Sequence, residues 1–145
     1  MKVAKFGGTS LASAVQIKKT CDIIASDKDR RIIVVSAPGK RYPDDVKVTD
    51  LLINTARTYI EGGDFNQTIA KVIGRYTDIA KELEIDDLFI NSLENNLKNL
   101  LNTNIGDEDS FMDSVKAAGE DNCAKLVAEY LKRVGIEAND VNPKD

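Results

Sequence analysis

The chain contains no histidine and no tryptophan, only two cysteines and three prolines, and aromatic residues are 6% of the whole. The missing imidazole removes Ser-His-Asp and Cys-His catalysis together with the usual zinc sites. Any chemistry here must rest on lysine, arginine, carboxylates, hydroxyls, backbone amides or a metal held by oxygen. Cys21 and Cys123 lie far apart and outside any CxxC pattern, so free, reduced core thiols are expected rather than a disulfide. No apolar run approaches the roughly 20 residues that span a bilayer. The opening MKVAKFGG also lacks the apolar stretch of a signal peptide, so a cytoplasmic protein with no membrane partner is expected. A net charge of −4 disfavours general attraction to nucleic-acid phosphates.

What remains is ordinary for a globular domain: 145 residues, 42% hydrophobic and 30% charged. Residues 2–6 read as a short strand that stops at Gly7-Gly8. A helix follows, with Thr9 or Ser10 as its cap and Leu11, Ala14, Val15, Cys21 and Ile24 at helical spacing. Residues 31–36, RIIVVS, form a continuous β-branched run that suits a strand buried on both faces. Strand, helix and strand within 36 residues make one βαβ unit and hence a parallel pair.

Residues 37–48, APGKRYPDDVKV, read as a loop in which Lys40, Arg41 and Lys47 either steer an anion or, the plainer reading, are simply solvated. Thr49 is positioned to cap a helix that ends at Gly62-Gly63, and Asp64 with Gln67 resembles a capping box for the next. Asp86 or Asp87 starts another, with Leu93, Leu97, Leu100 and Leu101 on one stripe. The loop NTNIGDED leads into a helical region at 110–133, interrupted or bent at Gly119. Residues 135–141 read as a third strand. No repeat or interdomain linker is visible. Three strands among about five helices suggest the first part of a larger α/β domain, since ligands of such sheets sit beyond the carboxyl ends of strands.

Several short stretches carry possible chemistry. In KFGGTS, two glycines let backbone approach a ligand, a helix start offers free amides, and Lys5 adds a compact cation. The same glycines are equally explained as a tight turn, and no GxxxxGK[ST] spacing exists. Ser36, at the end of VVSAPGK, falls at the same carboxyl edge as Gly7; a strand-end hydroxyl is its plainer reading. Thr49 is an ordinary cap or an anion contact. Gly119 in mid-helix costs about 1 kcal/mol relative to alanine, which asks for close packing or for a ligand beside Glu120.

Taken in order, KFGGTS, VVSAPGK, KVTDLL and AAGEDNCAKL resemble the aspartate kinases of the amino-acid kinase superfamily, across essentially the whole chain. The resemblance implies a three-layer α/β/α sandwich with a mostly parallel sheet, of which residues 1–145 would be the N-terminal part. It implies transfer of the γ-phosphoryl of ATP, with Mg²⁺, to the β-carboxylate of L-aspartate, the step that opens the lysine, threonine and methionine pathway. By the same resemblance Lys5, Phe6, Gly7 and Gly8 belong to the ATP segment, with Lys5 at the phosphates. Ser36 lies beside the reacting groups, and Thr49 and Glu120 bind aspartate. Ala117-Ala118 stand where the family often has serine before the Gly-Glu pair, so no hydroxyl contact is expected there. The family's catalytic domain is about twice this length and is followed by regulatory ACT domains. The chain alone is therefore expected to be inactive, to self-associate through an exposed sheet edge and apolar surface, and to form a homo-oligomer in the full-length protein. The rival readings are a non-catalytic aspartate- or phosphate-binding module and a kinase of another small acid in the superfamily.

Overall fold

A computed structural model describes residues 1–103 and 106–145. β1 (Lys2–Phe6) and β2 (Arg30–Val35) pair in parallel, joined by a 3-10 helix (Gly8–Leu11) and α1 (Ala14–Ala25). Then come α2 (Val48–Ile60), α3 (Asn66–Glu82), α4 (Asp87–Leu101) and α5 (Glu108–Arg133). This is the α/β class with a parallel sheet that the sequence indicates.

The helices follow from where their apolar residues fall. Ile90, Leu93, Leu97 and Leu101 bury one stripe of α4, and Ile69, Val72, Tyr76 and Ile79 do the same for α3. Leu11, Ile17, Leu52, Val72, Val115 and Leu126, each almost inaccessible, join these stripes into one core. Cys21 and Cys123 are buried there as free thiols, as expected, and burial is the main cause that pushes both up to about 12.

Several boundaries differ from the sequence reading. Thr9 and Ser10 do not cap α1, because a 3-10 turn intervenes and the Ser13 hydroxyl accepts from the Gln16 amide instead. Thr49 is not a cap either. Lys47 holds that position without a side-chain bond, and the Pro38 carbonyl accepts the Val48 N–H at 3.0 Å. Asp64 serves a turn, accepting from the Asn66 amide, rather than forming a capping box. Asp86 does cap α4, through the Phe89 amide. The helix expected from residue 110 begins at Glu108, capped by Asp107, and runs unbroken through Gly119. In the loop before it, Asn104 and Ile105 lie outside the described residues.

The sheet departs most. β2 is not buried on both faces. Ile33 and Val35 join Phe6 against the core, whereas Val3, Ile32 and Val34 are 63%, 45% and 44% exposed on the other face. The 135–141 segment is not a strand. Gly135, at φ +87, turns the chain after α5, the Ile136 amide donates to Leu131 O, and Ile136 and Ala138 pack on the core. Two strands, not three, are therefore present among the described residues.

Candidate functional site

The sheet register pairs Phe6 with Val35, so Gly7 and Ser36 leave the strands at one edge. Gly7 is extended, and a Cβ there would meet nothing within 4 Å. Gly8 is different. A Cβ on it would lie 3.0 Å from the Ala37 carbonyl oxygen and 3.2 Å from the Gly39 Cα, while one on Gly39 would lie 2.6 Å from the Gly8 carbonyl carbon. The Gly39 N–H donates to Gly8 O at 2.8 Å. The second glycine of KFGG thus serves backbone-to-backbone packing of two loops, and the first leaves open space beside a strand end.

The neighbouring motifs meet at this junction. Pro38 O receives the Val48 N–H and so fixes the first turn of α2, where Thr49 sits half-buried. Gly119 lets α5 close on the same loop, since a Cβ there would lie 2.9 Å from Ala37 Cβ and 3.0 Å from Leu52 Cδ1. Close packing therefore accounts for the mid-helix glycine. The Tyr76 hydroxyl donates to Gly119 O at 2.6 Å, and burial holds that phenol well above its ordinary range. Glu120, the next residue along, is exposed. KFGG, SAPGK, KVTDLL and AAGED are thereby brought together around Gly8, Ala37, Val48 and Gly119.

Their side chains are not enclosed in one pocket. Lys5, opposite Val34 in the register, is exposed at the open face of the sheet, and Ser36 is half-buried. Lys5 and Glu120, both exposed, make no ion pair among the described residues. A cleft of about 260 Å³ lies between the start of α1, Arg41, Arg75 and the end of α3. A groove of about 850 Å³ runs between β2, α5 and the 135–141 segment. Neither is lined by Lys5, Ser36, Thr49 or Glu120. Among the described residues no group of three or more carboxylates and thiols is arranged to hold a metal.

In the loop at 37–48 Lys40, Arg41 and Lys47 are exposed, as expected, but Asp45 is buried and the loop is tied to the body of the protein. Arg41 donates to both carboxylate oxygens of the buried Asp45, at 2.7 and 2.9 Å, and its amide donates to the same group. The Arg41 side-chain bonds are the largest cause that holds the Asp45 carboxyl far below its usual range. Arg75 on α3, buried, donates to Val46 O and Gly39 O. Sequence reasoning misses Gly39, Asp45 and Arg75. Only the i, i+4 spacing of Arg41 and Asp45 is a usable signal.

The Amino acid kinase family model matches residues 1–145. The chain belongs to the amino acid kinase family. Within it, the chain is 46% identical over its whole length to Aspartokinase 3 of Bacillus subtilis (strain 168), covering 32% of that protein. It is 31% identical over 136 residues to Aspartokinase of Chlamydia muridarum (strain MoPn / Nigg), covering 28% of it. The crystal structure of Clostridium acetobutylicum aspartate kinase superposes on 90% of the chain with a TM-score of 0.74 at 35% identity, using 29% of that protein. E. coli aspartokinase III in complex with lysine and aspartate shares the fold at TM-score 0.73 and 24% identity, over 93% of this chain and 29% of that one. This amino acid kinase chain thus spans about a third of the length of the curated relatives it matches. No helix among its described residues is long and apolar enough to cross a membrane.

Proposed function

We propose that residues 1–145 form the N-terminal part of the catalytic domain of a cytoplasmic, homo-oligomeric aspartate kinase, with MgATP and L-aspartate as substrates. The observation that carries this reading is the meeting of four motifs, KFGG, SAPGK, KVTDLL and AAGED, at one carboxyl edge of a parallel sheet. Ligands of such sheets bind at that edge. The identity of 46% to a named aspartokinase supports the choice of substrate.

In this reading the open space beside Gly7 and the free Lys5 ammonium receive the phosphates of the nucleotide. That is what a cradle for a polyanion requires: unhindered backbone and an uncompensated cation. Glu120, exposed and without an ion-pair partner among the described residues, binds the ammonium of aspartate, and Thr49 contacts the same substrate from the first turn of α2. Ser36 stands beside the reacting groups. A β-carboxylate oxygen of aspartate forms a bond to the γ-phosphorus, and the bond from that phosphorus to the bridging oxygen breaks with its electrons leaving on ADP. The nucleophile is already ionised at neutral pH, so no base is needed, which suits a chain without histidine. Alignment and charge stabilisation make up nearly all of the catalysis. The magnesium ion enters with the nucleotide, as part of the substrate MgATP.

The test is a panel of acceptors given to the full polypeptide that carries residues 1–145. Aspartate should support ADP formation, with glutamate and acetylglutamate far behind. Preference for either of the latter would move the protein to another branch of its family. Within this panel Glu120→Ala should raise the KM for aspartate at least roughly tenfold and leave the KM for MgATP unchanged.

A further inference from the structure

We propose that Arg75 is a positioning residue that fixes the distance between the phosphate side and the aspartate side of the site. The inference rests on the aspartate kinase reading and adds to it a residue outside all four motifs. Arg75 comes from α3, which carries none of the proposed substrate contacts. Its side chain is 6% exposed, and its two terminal nitrogens reach two different ends of one loop. Nη2 donates to Gly39 O at 2.8 Å and Nη1 to Val46 O at 2.6 Å. Asp45, 3.6 Å from Nη1 and itself held by Arg41, gives the buried guanidinium its counter-charge.

The two carbonyls are anchors of opposite halves of the site. Gly39 is the residue whose N–H and Cα lock onto Gly8, at the phosphate turn. Val46 lies two residues before Val48, where α2 begins, next to Thr49, the proposed aspartate contact. A planar guanidinium with its donors in a rigid fork holds both carbonyls at a set separation. A lysine ammonium is a single point and cannot span them in the same way. Phosphoryl transfer depends on alignment of donor and acceptor, so a loop free to shift by an ångström should lose turnover rather than affinity. A buried arginine that only stabilised the loop would lower the melting temperature and leave each folded molecule as active as before.

The experiment uses Arg75→Lys in the full polypeptide that carries residues 1–145, with kcat normalised to folded protein. The expected result is a fall in kcat of roughly 10- to 100-fold, with both KM values within about threefold of the parent. Amide hydrogen exchange of Gly39 and Val48 should accelerate about tenfold, while Leu126 in α5 keeps its rate. Unchanged kcat per folded molecule, or unchanged exchange at Gly39 and Val48, would overturn the proposal. If Arg75→Lys does not fold, Asp45→Asn carries the test: it removes the counter-charge that Arg75 shares with Arg41 and leaves the Arg75 donors. Its kcat should fall about three- to tenfold with faster exchange at Gly39 and Val48, and an unchanged kcat per folded molecule would overturn the proposal. A parent protein without aspartate-dependent turnover would sink the kinase reading and the positioning role together. A parent that turns over while Arg75→Lys matches it would sink the positioning role alone.

Discussion

Lys5 and Phe6 are adjacent on β1, yet they face two different kinds of surface. Phe6 turns to the core, on which Gly8, Gly39 and Gly119 let two loops and α5 close on one another. Lys5 stands at the side where Val3, Ile32 and Val34 lie open to solvent. At the first surface the carbonyls of Gly8, Pro38, Gly39, Val46 and Gly119 are bonded by Arg75, Tyr76 and the Gly39 and Val48 amides. The second presents apolar β-branched side chains of a parallel sheet, a class of sheet that normally buries both faces. The difference separates a packed junction, which fixes the loops by backbone contacts, from an open face that carries exposed apolar side chains and an unpaired lysine among the described residues.

The largest effect should come from deprotonating the closed side. Cys21, Cys123 and Tyr76 are each held above their ordinary pKa by burial, the two thiols up to about 12. A raised pKa means that the folded state keeps a proton that the unfolded state gives up sooner. The stability tied to these groups is therefore full below pH about 9, where an exposed thiol starts to ionise, and falls as pH climbs toward 12. Chemical denaturation between pH 8 and about 11.5 should show that decline, and Cys123→Ala should make it shallower. A flat profile would mean that the thiols are not buried as described.

Next in size is the contact between the two loops. A methyl at Gly39 would press on the Gly8 backbone, which cannot swing aside, so Gly39→Ala should cost about 2–3 kcal/mol of stability. The matching change Gly7→Ala meets only open space at a backbone conformation alanine adopts freely, and should stay within about 0.5 kcal/mol. If Gly7→Ala proved as costly as Gly39→Ala, the division between a packing glycine and an unhindered one would be lost. Smallest of all is the open face. Ile32→Thr with Val34→Thr should leave stability of the 145-residue chain within about 0.5 kcal/mol while weakening its self-association in sedimentation experiments. A large loss of stability there would show that the face is part of the core after all.

Much of the fold is legible in the order of the residues alone. The leucine stripe of α4 reports both its helix and its buried face, because periodicity and burial are the same signal there, whereas the continuous β-branched run at 31–36 reports a strand but not which face is buried. The caps are harder to read. Ser10 and Ser13 are both serines ahead of an apolar stripe, and only the 3-10 turn that takes up Ser10 decides which one serves α1. Thr49 has the chemistry of a cap, but a backbone carbonyl 11 residues before it in the chain, that of Pro38, does the work at Val48. Residues 135–141 have the composition of a third strand, yet a strand exists only where a neighbour pairs with it, and pairing is not written in a single segment. For the candidate site, Lys5, Gly7, Gly8, Ser36, Thr49 and Glu120 stand out by motif. Arg75 does not, since a lone arginine on a helix gains its meaning from a loop some 30 residues earlier in the chain.

The central claim is that the free ammonium of Lys5 serves nucleotide phosphates in an aspartate kinase. The most direct measurement is ADP release from MgATP and L-aspartate by the full polypeptide that carries residues 1–145, with Lys5→Ala alongside. The account predicts aspartate-dependent turnover that falls by at least about 100-fold in Lys5→Ala, while aspartate affinity changes little. Turnover that persists in Lys5→Ala, or an equal loss of turnover and aspartate affinity, would contradict it.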